Sequence, residues 1–92
     1  MNRLLWQMLA GTLGGYKRGH ILKCLTDRPC SANQIAEFLN IDYKTTRYHL
    51  NVLAKNGMIT TQGDKYGKKY FLSRHMKANL NDFNHIWKKI TS

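Results

Sequence analysis

The sequence is short of acid and short of cysteine. Only 5 Asp and Glu stand against 15 Lys and Arg, and the formal net charge is +10 over 92 residues. So few carboxylates leave general acid–base chemistry little to work with. No nucleophile–base pair, carboxylate pair or phosphate-cradling loop stands out either, so an enzyme is not expected. Two cysteines do not make a disulfide scaffold, and a reducing cytoplasm is the simpler setting. No apolar run approaches the roughly 18 residues of a membrane-spanning helix. Residues 1–15 resemble a secretion signal superficially, because Arg3 precedes Leu4 and Leu5. Gln7 interrupts that run and no cleavage site follows, so the segment is expected to belong to the mature fold.

What is present is one domain's worth of chain with 42% apolar residues, which fits a soluble globular protein. A core this small makes help from oligomerisation plausible. The positive excess favours a polyanionic partner, nucleic acid ahead of an anionic membrane surface.

Periodicity gives the element order. Leu5, Met8 and Leu9, with Trp6 beside them, predict a short helix over 2–10, and Gly11, Gly14 and Gly15 separate it from the rest. A second helix is expected over 16–26, burying Ile21, Leu22, Cys24 and Leu25 and turning Lys17, Arg18 and Lys23 outward. Asp27, Arg28 and Pro29 end it. Ser31 with Gln34 forms a capping box for a helix over 32–39 that buries Ile35, Ala36 and Leu39. Asn40 and Ile41 turn the chain. Asp42 then caps a helix over 43–55, with Thr46, Leu50 and Leu53 inward, which stops at Asn56-Gly57. Beyond Gly57 the period changes to two. Residues 58–62 read as a strand, 63–68 as a turn, and Tyr70, Phe71 and Leu72 as the returning strand. Ser73 caps a last helix over 74–90, in which Met76, Leu80, Phe83, Trp87 and Ile90 step by four and three like a coiled-coil seam.

Three helices closed by a hairpin, with a three-residue turn before the helix at Tyr43, are the layout of a winged helix-turn-helix. The expected class is mainly α with a small β-hairpin (α+β), with extra N- and C-terminal helices. Residues 20–73 resemble the winged helix-turn-helix of ArsR-type transcriptional regulators, especially the small archaeal ones. The stretches that carry the resemblance are Gln34-Ile35-Ala36-Glu37-Phe38-Leu39, Asp42-Tyr43-Lys44-Thr45-Thr46-Arg47-Tyr48-His49-Leu50, Leu53, Asn56-Gly57-Met58-Ile59, Gly67, Tyr70 and Leu72. The metal-sensing members carry a Cys-x-Cys pair in the first helix of the motif. Here that helix holds no Cys or His, so thiolate metal sensing at that helix is excluded. The resemblance implies a regulator of transcription in which the terminal regions pair two protomers. On that reading residues 1–14 and 74–91 are dimerisation helices around a core over 16–73. The interface residues would be Leu5, Met8, Met76, Leu80, Phe83, Trp87 and Ile90. The alternative is that both helices fold back on their own domain.

The expected contacts to double-stranded DNA come from the outward face of the helix at Tyr43: Tyr43, Lys44, Thr45, Arg47, Tyr48 and Asn51. Arg can bind guanine and Asn adenine through two bonds each, while Tyr and Thr suit phosphates and thymine methyls. A solvated polar face is the plainer alternative. The hairpin adds Lys65, Lys68 and Lys69, positioned for the backbone or the minor groove. His49 is expected on the helix flank, in a packing or phosphate role. His20, Cys24 and Cys30 form a weak metal pattern, and buried thiols are more ordinary. No metal, cofactor or membrane partner is expected. The sequence therefore predicts a cytoplasmic, homodimeric, sequence-specific regulator on a pseudo-palindromic operator. The competing reading is a winged-helix protein-interaction module of the transcription machinery.

Overall fold

The computed structural model describes residues 3–64 and 67–92. Four helices come first: α1 (Arg3–Leu9), α2 (Gly15–Asp27), α3 (Ala32–Leu39) and α4 (Tyr43–Lys55). A hairpin of β1 (Ile59–Gln62) and β2 (Lys69–Leu72) follows, then α5 (Arg74–Ala78) and α6 (Leu80–Thr91). The architecture is the expected helical domain with a small antiparallel hairpin. Among the described residues no helix is long and apolar enough to cross a membrane.

The local signals act where they stand in the sequence. Ser31 Oγ accepts from Gln34 N at 3.1 Å, and the Gln34 side chain accepts from Ser31 N at 2.9 Å. This reciprocal pair fixes the start of α3. Asn40 takes a left-handed conformation, φ 55°, one that Asn tolerates better than most residues. Ile41 N then bonds back to Ala36 O at 3.0 Å. Asp42 accepts from Thr45 N at 2.9 Å and starts α4. The Thr45 side-chain hydroxyl first, and then this backbone bond, hold the Asp42 carboxyl below its ordinary pKa. These bonds set the turn that aims α4.

The hairpin pairs Ile59 with Leu72 and Thr61 with Tyr70. Gly63 sits at φ 98°, where a Cβ would lie 2.4 Å from Gly67 O, so the turn needs a residue without one. Tyr70 also bonds on its other edge to Cys30, through Tyr70 N to Cys30 O at 2.8 Å and Cys30 N to Tyr70 O at 3.3 Å. The segment before α3 thus anchors the hairpin to the helices.

Two expectations about the terminal helices change. The last helix is two helices, divided at Asn79, whose side-chain amide caps His75 O at 2.8 Å. A side-chain amide that satisfies a helix-end carbonyl makes a stop competitive with continuation. Four of the seven expected interface residues also have a different role. Leu5, Met8, Met76 and Phe83 are buried in the protomer's own core, with Phe83 and Ile86 at 0% exposure. Leu80, Trp87 and Ile90 pack on that core and remain partly exposed. The apolar period marked a buried face correctly, but the face it meets is the same chain's α1 and α2. Gly19 lets the Trp87 ring lie against α2, where a Cβ would stand 2.2 Å from Cζ3.

Candidate nucleic-acid interface

α4 carries no acidic residue. Thr46, His49, Leu50 and Leu53 turn into the core. Tyr43, Lys44, Tyr48 and Asn51 are exposed, while Thr45 and Arg47 are half-buried on the flanks. At 3.6 residues per turn, 43 and 47 fall on one flank of α4, and 45, 49 and 52 on the other. Lys44, Tyr48 and Asn51 lie between them. The expected outward residues are therefore brought onto a continuous face, with different neighbours on its two sides.

On the wing side, Tyr43, Arg47, Lys68 and Tyr70 join the first turn of α3 around a hollow of about 90 Å³. Arg47 Nη1 donates to Tyr43 Oη at 3.4 Å, and that hydroxyl raises the Arg47 pKa above its ordinary value. Lys68 Nζ stands 5.5 Å from the centre of the Tyr70 ring. The positive end of α3 opens into the same hollow, which concentrates donors and positive charge there. Asp64 Oδ1 accepts from Gly67 N at 3.0 Å and shapes the hairpin tip. Lys69 is exposed on β2, and Lys65 lies outside the described residues.

On the far side, Arg18 corrects the expectation of an outward basic set. It is 5% exposed. Its Nε donates to Met8 O at 2.9 Å, Nη2 to Thr12 Oγ1, and Nη1 lies 3.4 Å from His49 Nδ1. Lys17 and Lys23 are exposed as expected. Arg18 ties the α1–α2 turn to α4. Its burial depends on a tertiary fit at Gly14, where a Cβ would lie 2.5 Å from Arg18 Nη1 and 2.6 Å from His49 Cε1. Glycines at 14 and 15 were the only local hint. His49 is buried rather than on an open flank.

Burial first, and then the charges of Arg18 and Lys17, hold the His49 pKa below its ordinary 6.5. A histidine held neutral in the folded state takes up its proton on unfolding, so its contribution to stability is complete above the unfolded pKa. That contribution is lost as pH falls from about 6.5 through the lower folded value. The thermal midpoint is therefore expected to fall between about pH 7 and pH 5. His49→Gln should flatten that part of the curve. Calorimetry of both proteins across this range checks it, and a parallel decline in the two would remove His49 as the cause.

The remaining motif residues have structural partners. His20 packs edge-on against Tyr16 and Trp87, with ring centres 4.7 and 4.9 Å away. Both cysteines are free thiols, Cys30 buried and Cys24 half-buried. Burial, and next the proximity of Cys30, pushes the Cys24 thiol up from its ordinary pKa, which disfavours the reactive thiolate. Among the described residues no three His, Cys, Asp or Glu side chains could hold a metal ion together.

A capped helix-turn-helix whose second helix presents a basic, acid-free face beside a glycine-tipped hairpin defines a winged helix-turn-helix protein. Residues 17–62 match the family model described as "Helix-turn-helix domain", and the chain belongs to that family. The fold is similar to the transcriptional regulator BldR from Sulfolobus solfataricus, with a TM-score of 0.75 and 14% identity. That match covers 96% of this chain and 64% of BldR, so this chain spans less than two thirds of that regulator's length. Reduced HlyU from Vibrio cholerae N16961 matches with a TM-score of 0.70 and 24% identity, over 91% of this chain and 84% of that one. A transcriptional regulator homologue from Pyrococcus horikoshii OT3 matches with a TM-score of 0.69 and 21% identity, over 99% and 95%. No curated protein sequence matches the chain.

Proposed function

We propose that the protein is a non-enzymatic, sequence-specific regulator of transcription that binds double-stranded DNA as a homodimer. In this reading α4 enters the major groove and the hairpin rests on the backbone or in the minor groove. The observation that carries it is the acid-free outer face of α4, flanked by cations and by the α3 N-terminus in one hollow. Lys44, Tyr48 and Asn51 would meet base edges and sugars, and Arg47 and Lys68 would meet phosphates. Two copies would present two such helices about 34 Å apart, to a pseudo-palindromic operator. For pairing, α1 and α6 leave the exposed Leu4 and the half-buried Trp6, Leu80, Trp87 and Ile90. Within that class we place it among the ArsR-type regulators, on the residues of α3, α4 and the Asn56-Gly57 exit that carry the resemblance.

Selection of bound duplexes from a random pool tests the reading, followed by affinities across a salt series. The expected result is an enriched half-site repeated with dyad symmetry. Affinity for random duplex should fall by on the order of 10³ between 50 and 200 mM salt if about six phosphates are engaged. A pool that yields no enrichment, together with negligible affinity at low salt, would point to the protein-interaction module instead.

A further inference from the structure

The flank of α4 away from the wing borders a cleft of about 650 Å³ between α4 and the α1–α2 turn. That volume lies within the range of small-molecule sites. Its walls differ in character. Met8, Leu13 and Val52 supply apolar surface, and the Leu13 side chain is fully exposed. Lys17, Arg18 and His49 supply the polar end. Thr45 and Tyr48 of α4 complete it.

Arg18 is the informative member. Its guanidinium is removed from solvent, and its partners are a carbonyl, a hydroxyl and an imidazole, all formally neutral. Among the described residues no carboxylate is paired with it. A buried cation without a counter-charge is costly, and a bound anion relieves that cost. A guanidinium carries five donors in a planar fork, so donors remain beyond these three contacts. Lys17 adds a second cation at the same end, exposed and free to turn toward an anion. Gly14 packs directly on Arg18 and His49, where a Cβ would collide with both, and all three residues line the cleft. The cleft thus combines a fixed, unmatched positive charge with an apolar wall.

We propose that this cleft binds a small amphipathic carboxylate. Its carboxylate group sits on Arg18 and Lys17, and its apolar part lies against Met8, Leu13 and Val52. Occupancy lowers affinity for DNA, because the ligand offsets the positive charge beside α4 and sits against Thr45 and Tyr48. This last step rests on the proposed DNA contact, whereas the binding site itself does not.

The test is a nuclear magnetic resonance titration of the full chain with hexanoate, at fixed sodium concentration and without DNA. The expected result is saturable shifts of the Gly14 and Thr45 amides and of the Arg18 Nε–H. Hexanamide should leave these signals in place, and inorganic phosphate, an anion without an apolar tail, should bind about tenfold more weakly or less. Leu13→Asp puts a like charge at the mouth of the cleft on an exposed side chain, so the fold is kept. It should weaken hexanoate by about tenfold. Arg18→Gln should abolish the shifts, and Leu13→Asp decides the matter if that variant does not fold. Equal binding of hexanamide, equal binding of phosphate, or no saturable shift at these positions overturns the site. Saturating hexanoate should then weaken random-duplex binding by about tenfold in the parent chain and not in Leu13→Asp. Hexanoate binding with unchanged DNA affinity overturns the coupling alone. A chain that binds hexanoate but no duplex leaves the site standing and defeats the DNA reading.

Discussion

Phe83→Ala is expected to unfold the protein at temperatures where the parent chain is stable. Phe83 is at 0% exposure and stacks on Trp87 with ring centres 6.1 Å apart. Truncating a buried Phe costs about 3–5 kcal/mol, through lost burial and the cavity left behind. Small domains have only about 5–15 kcal/mol in total. At several degrees per kcal/mol, the midpoint should drop by on the order of 15 °C or more. Ile90→Asp should act mainly on association. Ile90 packs on the core but is only half-buried near the end of α6, beside Lys88 and Lys89, so a carboxylate there should cost the protomer much less than Phe83→Ala does. A dimer that uses this surface should shift toward monomer while the melting midpoint of the dissociated protomer falls by only a small part of the Phe83→Ala loss. Scanning calorimetry and sedimentation equilibrium on both variants separate the two roles. A folded Phe83→Ala protein that has merely become monomeric would mean that Phe83 serves a second copy rather than its own core.

This contrast explains why the terminal helices were harder to read than the centre. Ser31, Gln34, Asp42 and the Asn56-Gly57 pair act through bonds that span three to five residues. Such bonds are written in local sequence, so α3, the turn and α4 could be placed from sequence alone. A four-and-three apolar step reports that a face is buried and is silent about what buries it. Met76 and Phe83 fit a dimer seam and an internal core equally well by period. The break at Asn79 was hidden for a related reason: Asn is a passable helix residue until its amide finds a carbonyl such as His75 O. Ile86, fully buried, lies off the expected seam because a strict four-and-three step passes over it, although it is three residues from Phe83 and shares its helix face.

The candidate site shows the same division. The outer face of α4 follows from helical geometry once Thr46, Leu50 and Leu53 are known to point inward. The surroundings of that face depend on distant segments. Nothing near Lys68 in sequence announces that it shares a hollow with Ser31 and Arg47. Near Arg18 only the glycines at 14 and 15 hint that it packs beside His49. By charge pattern alone Arg18 belongs with Lys17 and Lys23, and only packing distinguishes it.

The two kinds of DNA contact should separate cleanly by mutation. Sequence alone favours Arg47 as a base reader together with Asn51. The structure gives them different settings: Arg47 bonds to Tyr43 and faces the hollow that holds Lys68 and the α3 N-terminus, while Asn51 is exposed on the outer face. Arg47→Ala and Lys68→Ala should therefore each weaken operator and random duplex by similar factors. Each should reduce the log–log salt slope by about one per protomer contact, because each removes a phosphate contact that carries no base code. Asn51→Ala should instead cost about 1–3 kcal/mol on the selected operator, with little effect on random duplex and an unchanged salt slope. Binding constants on both duplexes across the salt series distinguish the three variants. If Arg47→Ala spares random duplex and relaxes the preference at one operator position, its guanidinium leaves the hollow on binding and reads a base. If Asn51→Ala is as mild on the operator as on random duplex, the outer face of α4 does not read sequence, and recognition must come from the hairpin.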